Sequence, residues 1–183
     1  MCELRHVAIV GDWYVGLGVE RASGAGVLVW RGVTGESWQA YRHAERSVVS
    51  FGGWSDGTWL HFNTCKRVRP FAHASEFEWL GLAALRLGDL ALVETPPLRV
   101  DGEKTDGSIR YVVRSEAPDR CVCVFVRSET TDSRPPPFTH RVMRGYLARV
   151  TVSSGEVVLL GKLGFNTWPS RPFIGVVEVP GVD

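Results

Sequence analysis

A chain of 183 residues with 44% hydrophobic and 22% charged content can bury a real core and matches an ordinary globular domain. Lys and Arg number 21 against 20 Asp and Glu, a formal charge of +1, which excludes a strongly basic nucleic-acid coat or an acidic decoy. No apolar run reaches the roughly eighteen residues of a membrane span, and residues 1–10, with Glu3, Arg5 and His6, lack the apolar stretch of a signal peptide, so a soluble, cytoplasmic protein is expected.

The first strand is expected at Val7-Ala8-Ile9-Val10, stopped by Gly11-Asp12. Residues 13–19 and 27–30 predict a hairpin across the small residues 22–26, with Gly16 and Gly18 marking a bulge or a close backbone approach. Between residues 34 and 46, Trp38, Tyr41 and Ala44 recur every three positions and predict a short amphipathic helix. A second hairpin, 46–54 with 58–66, turns at Asp56-Gly57 in the type I′ manner, which sets Trp54 opposite Trp59 and Phe51 opposite Phe62.

The main helix is expected near residues 75–88. Ser75 and Glu78 fit a capping box, Phe77, Leu80, Ala84 and Leu87 follow helical spacing, and Gly88 supplies the stop. Residues 90–93 read as a strand, and 95–107, with two prolines and two Asp-Gly pairs, as a loop or linker. Beyond it, 109–114 and 121–127 pair around Glu116–Asp119, with 121–126 buried on both faces for want of polar alternation. Residues 129–141 read as a mobile loop stiffened at Pro135-Pro136-Pro137. A last hairpin joins 145–152 to 156–160, and 175–179 reads as a terminal strand.

The chemistry-bearing residues are sparse. Cys2, Cys65, Cys121 and Cys123 are too few for a disulfide scaffold and are expected as reduced thiols. Cys2 with His6 and His61 with Cys65 offer zinc-type donors, but four residues along a strand separate donors by about 13 Å, so no metal site is expected. Lys66, Arg67 and Arg69, and Arg134, Arg141, Arg144 and Arg149 beside Phe138 and Tyr146, have the chemistry of a nucleic-acid surface. Residues 95–183 nevertheless hold 12 Lys and Arg against 10 Asp and Glu, and are barely basic. Six of the seven tryptophans precede residue 80, interspersed with Gly16, Gly18, Gly52 and Gly53. Small residues beside large rings make an aromatic pocket, so Trp13, Trp30, Trp54 and Trp59 are the candidate ligand-binding residues. The rival explanation is a packed core that uses glycine to admit tryptophan.

Two resemblances follow from short motifs. Arg31 in Val27–Arg31, Ser47–Ser50 and Glu76-Phe77-Glu78 stand in the order of motifs found in ADP-ribosyltransferases. That resemblance implies an arginine orienting dinucleotide phosphates, a bracing serine and, at Glu78, a glutamate stabilising an oxocarbenium-like state. Gly11-Asp12-Trp13-Tyr14 is similar to the opening of lipocalins, which implies a tryptophan closing one end of a barrel that holds a small apolar ligand.

The expected architecture is a single α+β domain over 1–183, mostly antiparallel hairpins in a sheet or partly open barrel, with the helix near 75–88. The expected function is a non-catalytic binding or interaction module using a tryptophan-rich surface or pocket for an unidentified small ligand or protein. No cofactor or membrane is expected, catalytic residues are unassigned, and a small ADP-ribosyltransferase-like enzyme or an RNA- or DNA-binding protein is the alternative.

Overall fold

Short β-branched and aromatic runs, each closed by Gly, Asp or Ser, favour hairpins over helices, and hairpins dominate the chain. A computed structural model describes residues 2–42, 46–53, 58–67, 77–131, 140–163 and 177–178. The first sheet collects β1 (Cys2–Val10), β2 (Trp13–Glu20), β3 (Gly26–Gly32) and β4 (Gln39–Tyr41). A second holds β5 (Ser47–Gly53), β6 (Trp59–Arg67), β7 (Phe77–Arg86) and β8 (Leu92–Glu94) in chain order. The third is built from β9 (Arg99–Val100), β10 (Glu103–Lys104), β11 (Ser108–Ala117), β12 (Arg120–Thr131), β13 (His140–Thr151) and β14 (Glu156–Lys162). Its order is β10-β9-β14-β13-β12-β11, and only the β14–β9 contact is parallel. The last strand, β15 (Val177–Glu178), returns to pair with β1.

The second sheet is the middle layer, with a core on each side. Toward the first sheet, Phe51, Leu60, Phe62, Ala83 and Leu85 meet Val10, Val15, Leu28 and Trp30. Toward the third, Leu82 and Ala84 meet Ile109, Val112, Cys121, Cys123, Phe125 and Val150. Each fully buried Phe or Leu contributes about 1.5–3 kcal/mol relative to exposure, so both interfaces are substantial. Glycine lets the layers close: a Cβ on Gly52 would sit 3.1 Å from the Arg114 Cα and 3.0 Å from Val112 Cγ1.

This architecture corrects the expected α+β class. Among the described residues there is no helix, none of the three sheets closes into a barrel, and no helix is long and apolar enough to cross a membrane. The segment expected as the main helix contains β7, whose backbone pairs with β6 from Trp59↔Arg86 to Arg67↔Phe77. The physical reason is burial on both faces. A strand between two cores needs apolar residues at every position, and the run 82–85 therefore satisfies helical spacing by coincidence. Tertiary pairing overrides the helix propensity of Leu and Ala. Gly88 lies in the turn after β7 rather than at a helix end, and Ser75 falls outside the described residues. The short helix expected over 34–46 is likewise replaced by a turn and β4, paired Leu28↔Tyr41 and Trp30↔Gln39 on β3.

The other hairpins form as expected. Val15↔Trp30, Phe51↔Phe62, Cys123↔Val112 and Arg149↔Val158 are all in register. Trp54 and the Asp56-Gly57 turn lie outside the described residues, although Gly53↔Leu60 is the register that turn requires. Residues 95–107 carry a hairpin of their own. Asp101 and Gly102 both have positive φ, 52° and 79°, the type I′ signature, and join β9 to β10.

Candidate functional site

The described tryptophans do not converge. Trp30 is fully buried and Trp13 packs partly against the same core between the first and second sheets. Trp59 packs on the opposite core, with the Arg86 guanidinium 5.5 Å from its ring centre. The fourth candidate, Trp54, is outside the described residues. Nor do the glycines leave open space beside the rings. Leu4 and Val29 fill the face of Gly16, the Cys2 sulfur occupies that of Gly18, and Val10 that of Gly53. The close approach expected at Gly18 is thus made by Cys2, and the bulge lies in β1 between Leu4 and His6.

Reactive groups are equally absorbed by structure. Burial pushes the Cys121 thiol up and the Cys123 thiol up to about 12, so neither is a thiolate at neutral pH. Among the described residues no three His, Cys, Asp or Glu are grouped to hold a metal ion. Of the transferase-like residues, Arg31 lies 5.3 and 5.1 Å from the ring centres of Tyr14 and Trp38. Ser50 instead sits between the second and third sheets, and Glu78 is opposite Lys66 on β7. Arg144 and Arg149 lie on opposite faces of β13 by strand alternation, and Arg149 is paired with Glu116 at 2.5 Å.

A polar seam, unforeseen from the sequence, joins the middle sheet to β11. The Asn63 amide, fully buried, donates to the Ile109 carbonyl at 3.2 Å and the Arg110 carbonyl at 2.9 Å. Its oxygen accepts from the Ser50 hydroxyl at 2.5 Å, and Ser50 in turn accepts from Val112 N–H at 2.7 Å. His61, also fully buried, lies 2.6 Å through Nδ1 from Ser115 Oγ and 3.0 Å through Nε2 from the Pro118 carbonyl. Ser115 donates to the Gly52 carbonyl at 2.7 Å. A neutral ring fills two of these three bonds and an imidazolium all three. Burial dominates and lowers the His61 pKa, against the raising effects of the Pro118 carbonyl and Asp119. These bonds occupy backbone groups of β11, the edge of the third sheet, and so block pairing there.

Another stretch of strand lacks a second neighbour among the described residues. β12 pairs with β13 through Thr131↔His140, whereas its pairing with β11 begins at Ser108↔Val126. Among the described residues, Arg127 to Thr131 therefore have a strand neighbour on one side only. Beside them lies an open trough of about 660 Å³, lined by Val100, Asp101, Glu103, Lys104, Thr105 and Asp106 from the β9–β10 hairpin and by Arg127, Ser128 and Glu129. Close packing of Gly107 against the Phe125 ring sets where the chain turns into β11 and leaves the overhang.

The trough is acidic, with four carboxylates against Lys104 and Arg127. Glu129 is already engaged by the Tyr146 hydroxyl, by Arg127 at 3.2 Å and by Lys162 at 4.0 Å. The Tyr146 bond is the main cause that holds its carboxyl below the ordinary range. Asp101, Glu103 and Asp106 have no ion pair among the described residues. A smaller cleft of about 310 Å³ lies beside Gly81, where φ is +136° and nothing fills the space of a side chain. The Thr95 hydroxyl on its wall is buried without a hydrogen-bond partner.

Comparison with models of protein families, with curated proteins and with solved structures finds no match.

Proposed function

We propose that this protein is a non-catalytic binding module, and that its partner docks in the trough between the β9–β10 hairpin and the overhang of β12 rather than on the tryptophans. The observation that carries this reading is the strand overhang beside an open acidic trough. Three observations on reactive groups support a non-catalytic role. The Cys121 and Cys123 thiols are buried and held neutral. His61 is fully buried with its ring nitrogens facing Ser115 and Pro118, and the Ser50 and Ser115 hydroxyls donate to Asn63 and Gly52. The Ser115 hydroxyl does lie 2.6 Å from His61 Nδ1, but that ring is fully buried, and catalysis by proton transfer or covalent attack requires a substrate within reach.

The test compares the parent with an Asp101→Asn/Glu103→Gln/Asp106→Asn variant by thermal unfolding across peptide and nucleotide collections. A ligand at one hundred times its Kd adds about 2.7 kcal/mol to the native state. Ligands that raise the melting temperature of the parent and not of the variant are expected. Turnover of NAD or another nucleotide by the parent would instead establish an enzyme.

A second reading, capture of a small ligand, is favoured by the cleft beside Gly81, where the buried Thr95 hydroxyl awaits an acceptor. Thr95→Val keeps the shape and removes that donor, and is expected to weaken such a ligand about tenfold.

A further inference from the structure

A strand with a neighbour on one side only presents a row of backbone N–H and C=O groups to whatever lies beside it. Proteins commonly cover such a row with charge, a bulge or a polar side chain. Here the protein does so along β11, through Asn63 and Ser50, whereas among the described residues no strand pairs with Arg127–Thr131 on the side away from β13. Five residues of strand span roughly 16 Å at about 3.3 Å each, room for a short extended segment. The far wall is the β9–β10 hairpin, held in place by a type I′ turn and by pairing to β14 at Glu156↔Arg99 and Val157↔Val100. Asp101, Glu103 and Asp106 lie in the trough with Lys104 and Arg127, and none of the three has an ion pair among the described residues.

Resting on the binding-module reading above, we infer that the trough takes an extended, Lys- or Arg-bearing peptide segment of a partner protein, added as a strand alongside Arg127–Thr131. Main-chain hydrogen bonds to β12 supply affinity, and the carboxylates opposite select alternate basic side chains of the incoming strand. Glu129 stays with Tyr146 and Arg127, so selection falls on the hairpin wall.

The experiment uses the full chain and fluorescein-labelled peptides. An alternating Lys-Thr octapeptide is compared with a Glu-Thr octapeptide, and with two Lys-Thr forms N-methylated at alternate residues in either phase. The Lys-Thr peptide is expected to bind saturably by anisotropy, at least tenfold tighter than the Glu-Thr one. Methylation in one phase should weaken it at least tenfold and in the other phase leave it within about threefold, because a strand bonds its neighbour through alternate residues. Hydrogen exchange should slow at residues 127–131 in the complex.

Equal loss for both phases, absence of saturable binding up to millimolar peptide, or protection elsewhere overturns strand addition. If the trough variant still loses its ligands in thermal unfolding while no peptide binds, the binding-module reading stands and this inference alone fails. Concentration-dependent dimerisation that protects 127–131 without peptide would also overturn it, since the occupant would then be a second copy.

Discussion

Asn63→Leu tests the polar seam that holds β11 against the middle sheet. The replacement keeps the side-chain volume nearly constant but strands the Ile109 and Arg110 carbonyls and the Ser50 hydroxyl, all bonded to Asn63, which itself has no solvent exposure. A buried bond is worth about 1 kcal/mol net, and a polar group left without a partner costs about 1–3 kcal/mol. Allowing for relaxation and for the gain from leucine, the loss comes to about 3–5 kcal/mol. With a urea slope near 2 kcal/mol/M, the unfolding midpoint falls by roughly 1.5–2.5 M. The assay is urea unfolding followed by tryptophan emission and far-ultraviolet circular dichroism, with Ser128→Ala as a control. Asn63→Asp keeps an acceptor for Ser50 but turns a carboxylate toward two carbonyls, so it should lose as much at pH 7 and regain part on acidification. An Asn63→Leu protein within about 1 kcal/mol of the parent would refute the idea that these bonds hold the two sheets together.

Burial lowers the His61 pKa, so the native state prefers the neutral ring while the unfolded chain takes a proton near pH 6.5. The stabilising contribution is therefore complete above about pH 6.5 and lost as pH falls toward the native pKa. The parent should lose more stability than His61→Gln between pH 7.5 and 5, and a gain on acidification would mean that the imidazolium's third hydrogen bond outweighs burial. Gly18→Ala sets a methyl against the Cys2 sulfur and should destabilise by about 1–3 kcal/mol, with Cys2→Ala restoring most of it; additive losses in urea unfolding would contradict the contact. Cys121 and Cys123, buried with raised thiol pKa values, should react with iodoacetamide only at the rate of opening, and labelling independent of urea, read by mass spectrometry, would contradict their burial.

The hairpins were legible because their signals are local. The Asp56-Gly57 dipeptide predicts the register Phe51↔Phe62 that β5 and β6 adopt, and Ser153-Ser154-Gly155 separates β13 from β14. What misled was burial from both sides, a tertiary fact that no local pattern carries. It makes residues 82–85 of β7 continuously apolar, so that the segment imitates a helix. It also hides His61 and Asn63, whose alternation with Leu60 and Phe62 is the ordinary mark of a solvent-facing edge. Asp101-Gly102 is the same dipeptide as Asp56-Gly57 and carried the same turn signal, but the two-residue strands beside it are too short to read as a pattern. The trough was illegible for a different reason: an overhang is a difference in length between neighbouring strands, set where Gly107 meets Phe125. Of the tryptophans, the most conspicuous feature of the composition, Trp30 is a buried core residue, and Trp13 and Trp59 pack partly against the two cores.

The most direct measurement is a titration of the isotopically labelled full chain with the Lys-Thr octapeptide, observing backbone amides and tryptophan indoles in one nitrogen–proton spectrum. The account predicts concerted shifts at Asp101, Glu103–Asp106 and Arg127–Glu129, with the indole signals of Trp13, Trp30 and Trp59 unmoved. Indole shifts with a silent trough would place binding on the tryptophans and contradict it.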